Sequence, residues 1–339
     1  MAWRERVGRV LAATAVKLAK QEEEDTVRNS SSYLEDEEGP LVDEYHTLEL
    51  VGPAPGNHWM AHEEMIRLGL CKAAAANPKH NRYSNLFPYD SSRVVVKDSE
   101  NDYLNASFVE VDGVDAPLIL AMGPMHPDYH GEDTTGQFWK AVNQQKVGIV
   151  VMLCGVQAGY SGCAKYYPNP GEVLEYGGVK VDGGESQAGE GTVVSKMNVN
   201  GNSVTHFKFT KWPNYGVVEN VEVLAMLVKA VVDEQNARGL KKAPILIHCS
   251  GGVGRSGTFA TLYSLYRLIK SAEDEGWEKV EKYLKEDEMS LVPLVTMLRE
   301  TRHPWMVEGL HQYKLAYATF VWLLKDLLKE PIGDIDCCC

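Results

Sequence analysis

The sequence lacks any apolar run approaching the ~18 residues that a membrane span requires, and it carries no recognisable secretory signal. A spanning topology is therefore not expected. Cysteine is sparse, with seven residues in 339, an odd number. Apart from the last three they occur singly, at Cys71, Cys154, Cys163 and Cys249. No CxxC pair or Cys/His cluster indicates a structural metal or a disulfide framework, so a reducing interior is expected, cytosolic or on a membrane surface. Basic residues are outnumbered, 34 Lys and Arg against 47 Asp and Glu, and the net charge of -13 argues against general nucleic-acid binding. An acidic ligand stays open, because a pocket is governed by its local charges. There is no internal repeat. What is present, 44% hydrophobic and 24% charged residues, is ordinary for a soluble globular protein. The length suits one large α/β domain with appendages, or two small domains.

Residues 1–20 space Trp3, Val7, Val10, Leu11 and Leu18 as a helix does, with Arg4, Arg6, Arg9, Lys17 and Lys20 around them. A helix packed on the domain, a membrane-surface helix and a targeting segment all fit this pattern. Residues 21–44 are acidic and poor in apolar side chains, and read as a linker. Globular texture begins near residue 45. The spacing predicts a helix over 59–72, then strands at 93–97, 106–111, 117–121 and 147–154, the last apolar enough to be buried on both faces. Antiparallel strands are expected across 172–210, with Asn200-Gly201 as a hairpin turn and glycine-rich 177–191 as a surface loop. A helix over 220–237 and a buried strand at 243–248 follow. Further helices are predicted at 256–271, 275–285, 291–300 and 308–329.

The segment 248–257 joins that buried strand to a helix through a short glycine-rich turn. Such a turn aims successive backbone N–H groups and a helix start at one point, which makes an anion site. Gly251, Gly252 and Gly254 let the backbone curl. Cys249 opens the loop, where helix-start dipoles favour a thiolate. Arg255 follows six residues later with a planar fork that can grip two phosphate oxygens. Ser250, Gly251, Gly252, Val253 and Gly254 would supply the cradle, flanked by His248 and Ser256. A lone Cys at a strand end is usually a buried small hydrophobe. The full pattern instead implies phosphoryl transfer to sulfur followed by hydrolysis.

The sequence here resembles the tyrosine-specific protein-tyrosine phosphatase family, over about residues 45–328. Asn81-Arg82-Tyr83 with Pro88, Asp90 and Arg93 is similar to its substrate-recognition segment, and Asp102-Tyr103-Leu104-Asn105-Ala106-Ser107 to its D-Y-I-N-A-S strand. Gly123-Pro124, Phe138-Trp139 and Cys163-Ala164-Lys165-Tyr166-Tyr167-Pro168 match core landmarks. Trp212-Pro213-Asn214-Tyr215-Gly216-Val217 resembles the mobile general-acid loop, and Gln312-Tyr313 the last motif. The resemblance implies an α/β fold, a single domain with a twisted mixed sheet flanked by helices. It implies phosphotyrosine-containing proteins as partners, no cofactor, and Tyr83 stacking on the substrate ring. His248, Trp212 and Pro213 become structural supports. Residues 1–44 would be a basic helix with an acidic linker, and 329–339 a tail.

Four positions depart from the family pattern. Asn214 stands where an aspartate protonates the leaving tyrosine oxygen, and an amide cannot do so. That proton transfer is typically worth 10²–10⁴-fold, so its loss should raise the barrier by roughly 3–5 kcal/mol. Glu219, further along, is not expected to substitute. Val156–Tyr160 lacks the glutamate that usually orients the loop arginine. Glu308 replaces the glutamine that positions the hydrolytic water, with Gln312 as the second, and a carboxylate there orients water but repels phosphate. Asn85 replaces an aspartate that often holds the substrate backbone. A slow phosphatase and a phosphotyrosine-binding pseudophosphatase both fit these departures.

Cys337, Cys338 and Cys339 follow Asp336, so they do not form a C-a-a-X signal. They resemble doubly prenylated ends, with palmitoylation as an alternative and an unmodified tail as the bland reading; lipidation would give peripheral membrane association. His126 and His130 have metal-like spacing but no further ligands, and no metal site is expected.

Overall fold

The computed structural model describes residues 2–29, 38–56, 60–128, 132–157, 162–213, 216–284 and 289–329. The strands are β1 (Arg93–Val95), β2 (Tyr103–Val109), β3 (Leu118–Met122), β4 (Ile149–Met152), β5 (Val173–Tyr176), β6 (Val179–Ala188), β7 (Thr192–Val199), β8 (Asn202–Phe209) and β9 (Ile245–Cys249). They form one mixed sheet in the order β1-β2-β3-β9-β4-β8-β7-β6-β5. Its centre is parallel, β9 lying between β3 and β4 with Met122 opposite Cys249 and Met152 opposite His248. Every residue of β3, β4 and β9 is buried, as expected of apolar strands covered on both faces.

The helices are α1 (Ala2–Asn29), α2 (Pro40–Glu49), α3 (Ala61–Arg67), α4 (Lys72–Ala76), α5 (Thr135–Gln144), α6 (Val221–Ala237), α7 (Gly254–Glu275), α8 (Glu278–Glu281), α9 (Val292–Thr301) and α10 (Leu310–Leu328). Helix α7 packs on β9, β3, α6 and α10, and buries 16 of its 22 residues. Each buried side chain of the size of Phe259 or Leu262 contributes about 1.5–3 kcal/mol. The start of α7 is therefore anchored by its whole length. Among the described residues no helix is long and apolar enough to cross a membrane.

The structure corrects three expectations. The acidic stretch after residue 20 continues α1 to Asn29 rather than forming a linker. Gln21 is buried there, accepting from Leu41 N–H and donating to Glu38 O, while Lys314 of α10 pairs with Asp25 at 2.8 Å. These partners lie far along the chain, so hydropathy could not reveal them. Val7, Val10 and Leu11 are buried against the domain, which favours the packed-helix reading. Second, glycine-rich 177–191 is mostly strand β6, whose Gly183 and Gly184 are absorbed in an irregularity between Asp182 and Glu185. Third, the separate helix expected over 275–285 is reduced, among the described residues, to α8 at Glu278–Glu281, because Glu275 is the last residue of α7. The Asn200-Gly201 turn forms as expected, both residues having positive φ.

Candidate functional site

Strand β9 delivers Cys249 to the edge of the parallel core, and the chain turns through 250–253 into α7. Gly252 makes that turn at φ 71°, where an added Cβ would lie 2.2 Å from Ala121 O. Only glycine fits both the backbone angle and the space. A Gly252→Ala substitution is therefore expected to cost roughly 2–4 kcal/mol. Denaturant unfolding checks this, and an unchanged midpoint would contradict the geometry. The Gly252 N–H donates to Cys249 Sγ at 3.2 Å, so this loop amide points at the thiol.

The loop is fastened from three sides. Buried Arg82 donates to Ser250 O (2.6 Å), Gly123 O (3.0 Å) and Pro124 O (2.9 Å), tying the loop to the chain leaving β3. Ser250 Oγ donates to Gly162 O and accepts from Tyr83 Oη, both at 2.8 Å. Behind the loop, Tyr166 Oη lies 2.6 Å from His248 Nε2 and 2.7 Å from His206 Nε2. Burial pushes His206 down to about 3, so it stays neutral. Cys154 and Cys163 join His248 in a buried cluster whose ligand-type atoms lie within 4.8 Å of one another. The hydrogen bond to Cys163, then burial, holds the Cys154 thiol well above its ordinary range. Nothing in their sequence spacing announces this cluster.

Arg255 sits in the first turn of α7 and donates to Leu153 O at 3.1 Å, at the end of β4. Gly257, two residues on, lets the backbone of Val307 approach, since a Cβ there would stand 2.5 Å from Val307 N. That approach brings Glu308 and Gln312 beside Gly254. The Gln312 amide accepts from Thr258 Oγ1 at 3.2 Å.

A cleft of about 490 Å³ results. Of the sequence candidates it is lined by Tyr83, Asn85, Pro213, Cys249, Ser250, Gly251, Val253, Gly254, Arg255, Glu308 and Gln312. Gly252, Ser256 and His248 are buried behind it, and Ser256 Oγ has no hydrogen-bond partner among the described residues. Trp212 is buried and donates through Nε1 to Gly216 O at 3.2 Å, which ties the two ends of the 213–216 segment together. Asn214, His130 and Cys337–Cys339 lie outside the described residues. Sequence reading missed Trp305 and His311, which also line the cleft and whose only signal is nearness to Glu308.

Charge in the cleft is uneven. Cys249 is almost enclosed, 3% exposed. Glu308 keeps solvent access at the cleft wall, yet the protein crowding its inner side pushes its carboxyl above the usual range, with Arg255 pulling the other way. Burial likewise raises the Tyr83 hydroxyl, opposed by its bond to Ser250. A tetrahedral dianion here would meet the Gly252 amide's surroundings, a guanidinium, a thiol and an aromatic ring in one cleft.

Residues 77–322 match the family model described as protein-tyrosine phosphatase. The chain is 30% identical over 269 residues to tyrosine-protein phosphatase non-receptor type 2 of Rattus norvegicus, covering 76% of this chain and 62% of that protein. It is 33% identical over 233 residues to the Homo sapiens counterpart, covering 66% and 54%. Over 198 residues it is 33% identical to receptor-type tyrosine-protein phosphatase C of Homo sapiens, covering 54% and 14%. The chain thus spans less than two thirds of the length of these relatives.

Proposed function

This chain belongs to the protein-tyrosine phosphatase family, and on that premise we propose that it binds phosphotyrosine on proteins and dephosphorylates it slowly, through a phosphoryl group carried on Cys249. The observation that carries this reading is the placing of Cys249 and Arg255 at the two ends of one amide-lined turn, facing one cleft. The phosphotyrosine ring enters beside Tyr83. Its phosphate oxygens take hydrogen bonds from the turn and from the Arg255 fork. Cys249 Sγ attacks phosphorus, the P–O bond to the ring breaks, and its electron pair leaves on the tyrosine oxygen. Water then attacks phosphorus, the P–S bond breaks, and Sγ is released as thiolate.

The first step is the slow one for phosphotyrosine, because Asn214 cannot supply a proton to the departing oxygen. That residue also favours a second reading, a pseudophosphatase that captures phosphotyrosine and hardly turns it over. Single-turnover kinetics separate the two. With an aryl phosphate of acidic leaving group, Cys249 should be phosphorylated about 10²–10⁴-fold faster than with a phosphotyrosine peptide. No phosphoenzyme with either substrate would leave only the binding module. Equally fast reaction of both would remove the attenuation.

A further inference from the structure

Hydrolysis of a phosphorylated cysteine needs a proton acceptor for the attacking water, and an amide such as Asn214 cannot be that acceptor. Among the described residues, the titratable ones lining the cleft are Tyr83, Cys249, Arg255, Glu308 and His311. Cys249 is occupied as the phosphoryl carrier. Arg255 is permanently charged. Tyr83 is held through Ser250, and its ionisation is pushed upward.

From this geometry we infer that Glu308 is the general base of the second step. This rests on the reading of Cys249 as the nucleophile. The Glu308 Cβ packs against the backbone of Gly254, so closely that a side chain at 254 would meet it at 3.1 Å. The side chain therefore springs from beside the residue preceding Arg255, lines the same cleft as Gln312 and keeps contact with solvent. Its loop is fixed on both sides. Arg299 Nε donates to Met306 O at 3.1 Å, and Gly309 N–H donates to Tyr45 Oη at 2.8 Å. A carboxylate carried on a fastened backbone, open to water and lining the phosphoryl pocket meets the geometric demands on a base.

In the step itself the water oxygen bonds to phosphorus as the P–S bond breaks. The electron pair goes to Cys249 Sγ, and one water proton goes to the Glu308 carboxylate. Glu308 returns that proton to solvent after phosphate leaves. The crowding that raises its basicity strengthens it for this task, with Arg255 pulling the other way.

The test is rapid-quench kinetics of the full chain and of Glu308→Gln with p-nitrophenyl phosphate across pH, with mass analysis of the quenched protein. The parent chain should show a steady-state rate that rises with pH through one ionisation, because the base works only when deprotonated. Glu308→Gln should keep a full first-turnover burst, accumulate protein carrying one phosphoryl group, and turn over about 10²-fold more slowly or worse, with that pH limb gone. The burst reports that the variant is folded and its pocket intact. His311→Gln should retain the limb, and its loss there instead would overturn the assignment. Equal steady-state rates and pH profiles for the parent and Glu308→Gln would overturn it while leaving the cysteine mechanism standing. A Glu308→Gln protein without a burst would place Glu308 in binding and refute the role. Absence of phosphoenzyme in the parent chain would remove the cysteine mechanism, and this inference with it.

Discussion

Cys249→Ser is expected to lose phosphate release by about 10⁴-fold or more, since removing the covalent nucleophile leaves only binding and polarisation. Binding of a phosphotyrosine peptide should survive. The contacts that shape the loop run through Arg82 to Ser250 O, through Tyr83 to Ser250 Oγ and through Tyr166 to His248. None of these uses Sγ, whose neighbour is the Gly252 amide, and a serine oxygen can accept from that amide as well. Phosphate release and calorimetric peptide titration together check both halves. Residual turnover above a hundredth of the parent would place the nucleophile elsewhere. Lost affinity with an intact fold would show that the thiol itself shapes the pocket.

Cys249 is legible in the sequence because the site is encoded locally. Nucleophile, amides and arginine sit within one turn, so residue types and local spacing alone imply the chemistry. Local signals worked elsewhere for the same reason. Asn200-Gly201 carries its own turn geometry, and the apolar runs at β4 and β9 declare their burial. The illegible parts depend on chain separation. Arg82 matters because Ser250, 168 residues away, offers it a carbonyl, and Cys154, Cys163 and His248 meet only after β9 inserts between β3 and β4. The acidic stretch 21–29 looked like linker because its stabilising partners, among them Lys314, are polar and distant. Glycines in β6 looked like loop because composition does not distinguish an irregular strand from a turn.

Asn214→Asp is expected to raise turnover of phosphotyrosine peptides by about 10²–10⁴-fold, a barrier reduction of roughly 3–5 kcal/mol. The size depends on the leaving group. Tyrosine's hydroxyl has a pKa near 10, so expelling it as an anion is costly and a proton donor is worth most there. A more acidic phenol departs as a stable anion, and for it the gain should be small. Delivery of the new carboxyl rests on the flanking residues, Pro213 and Gly216, which both line the cleft and are joined through the Trp212 Nε1 bond to Gly216 O. Steady-state rates on a peptide and on a series of aryl phosphates measure the effect as a slope against leaving-group acidity. The parent should show a steep slope and the variant a shallow one. Equal gains along the whole series would mean that residue 214 acts on the positioning of the phosphate, and the proton-donor account of this position would have to be given up.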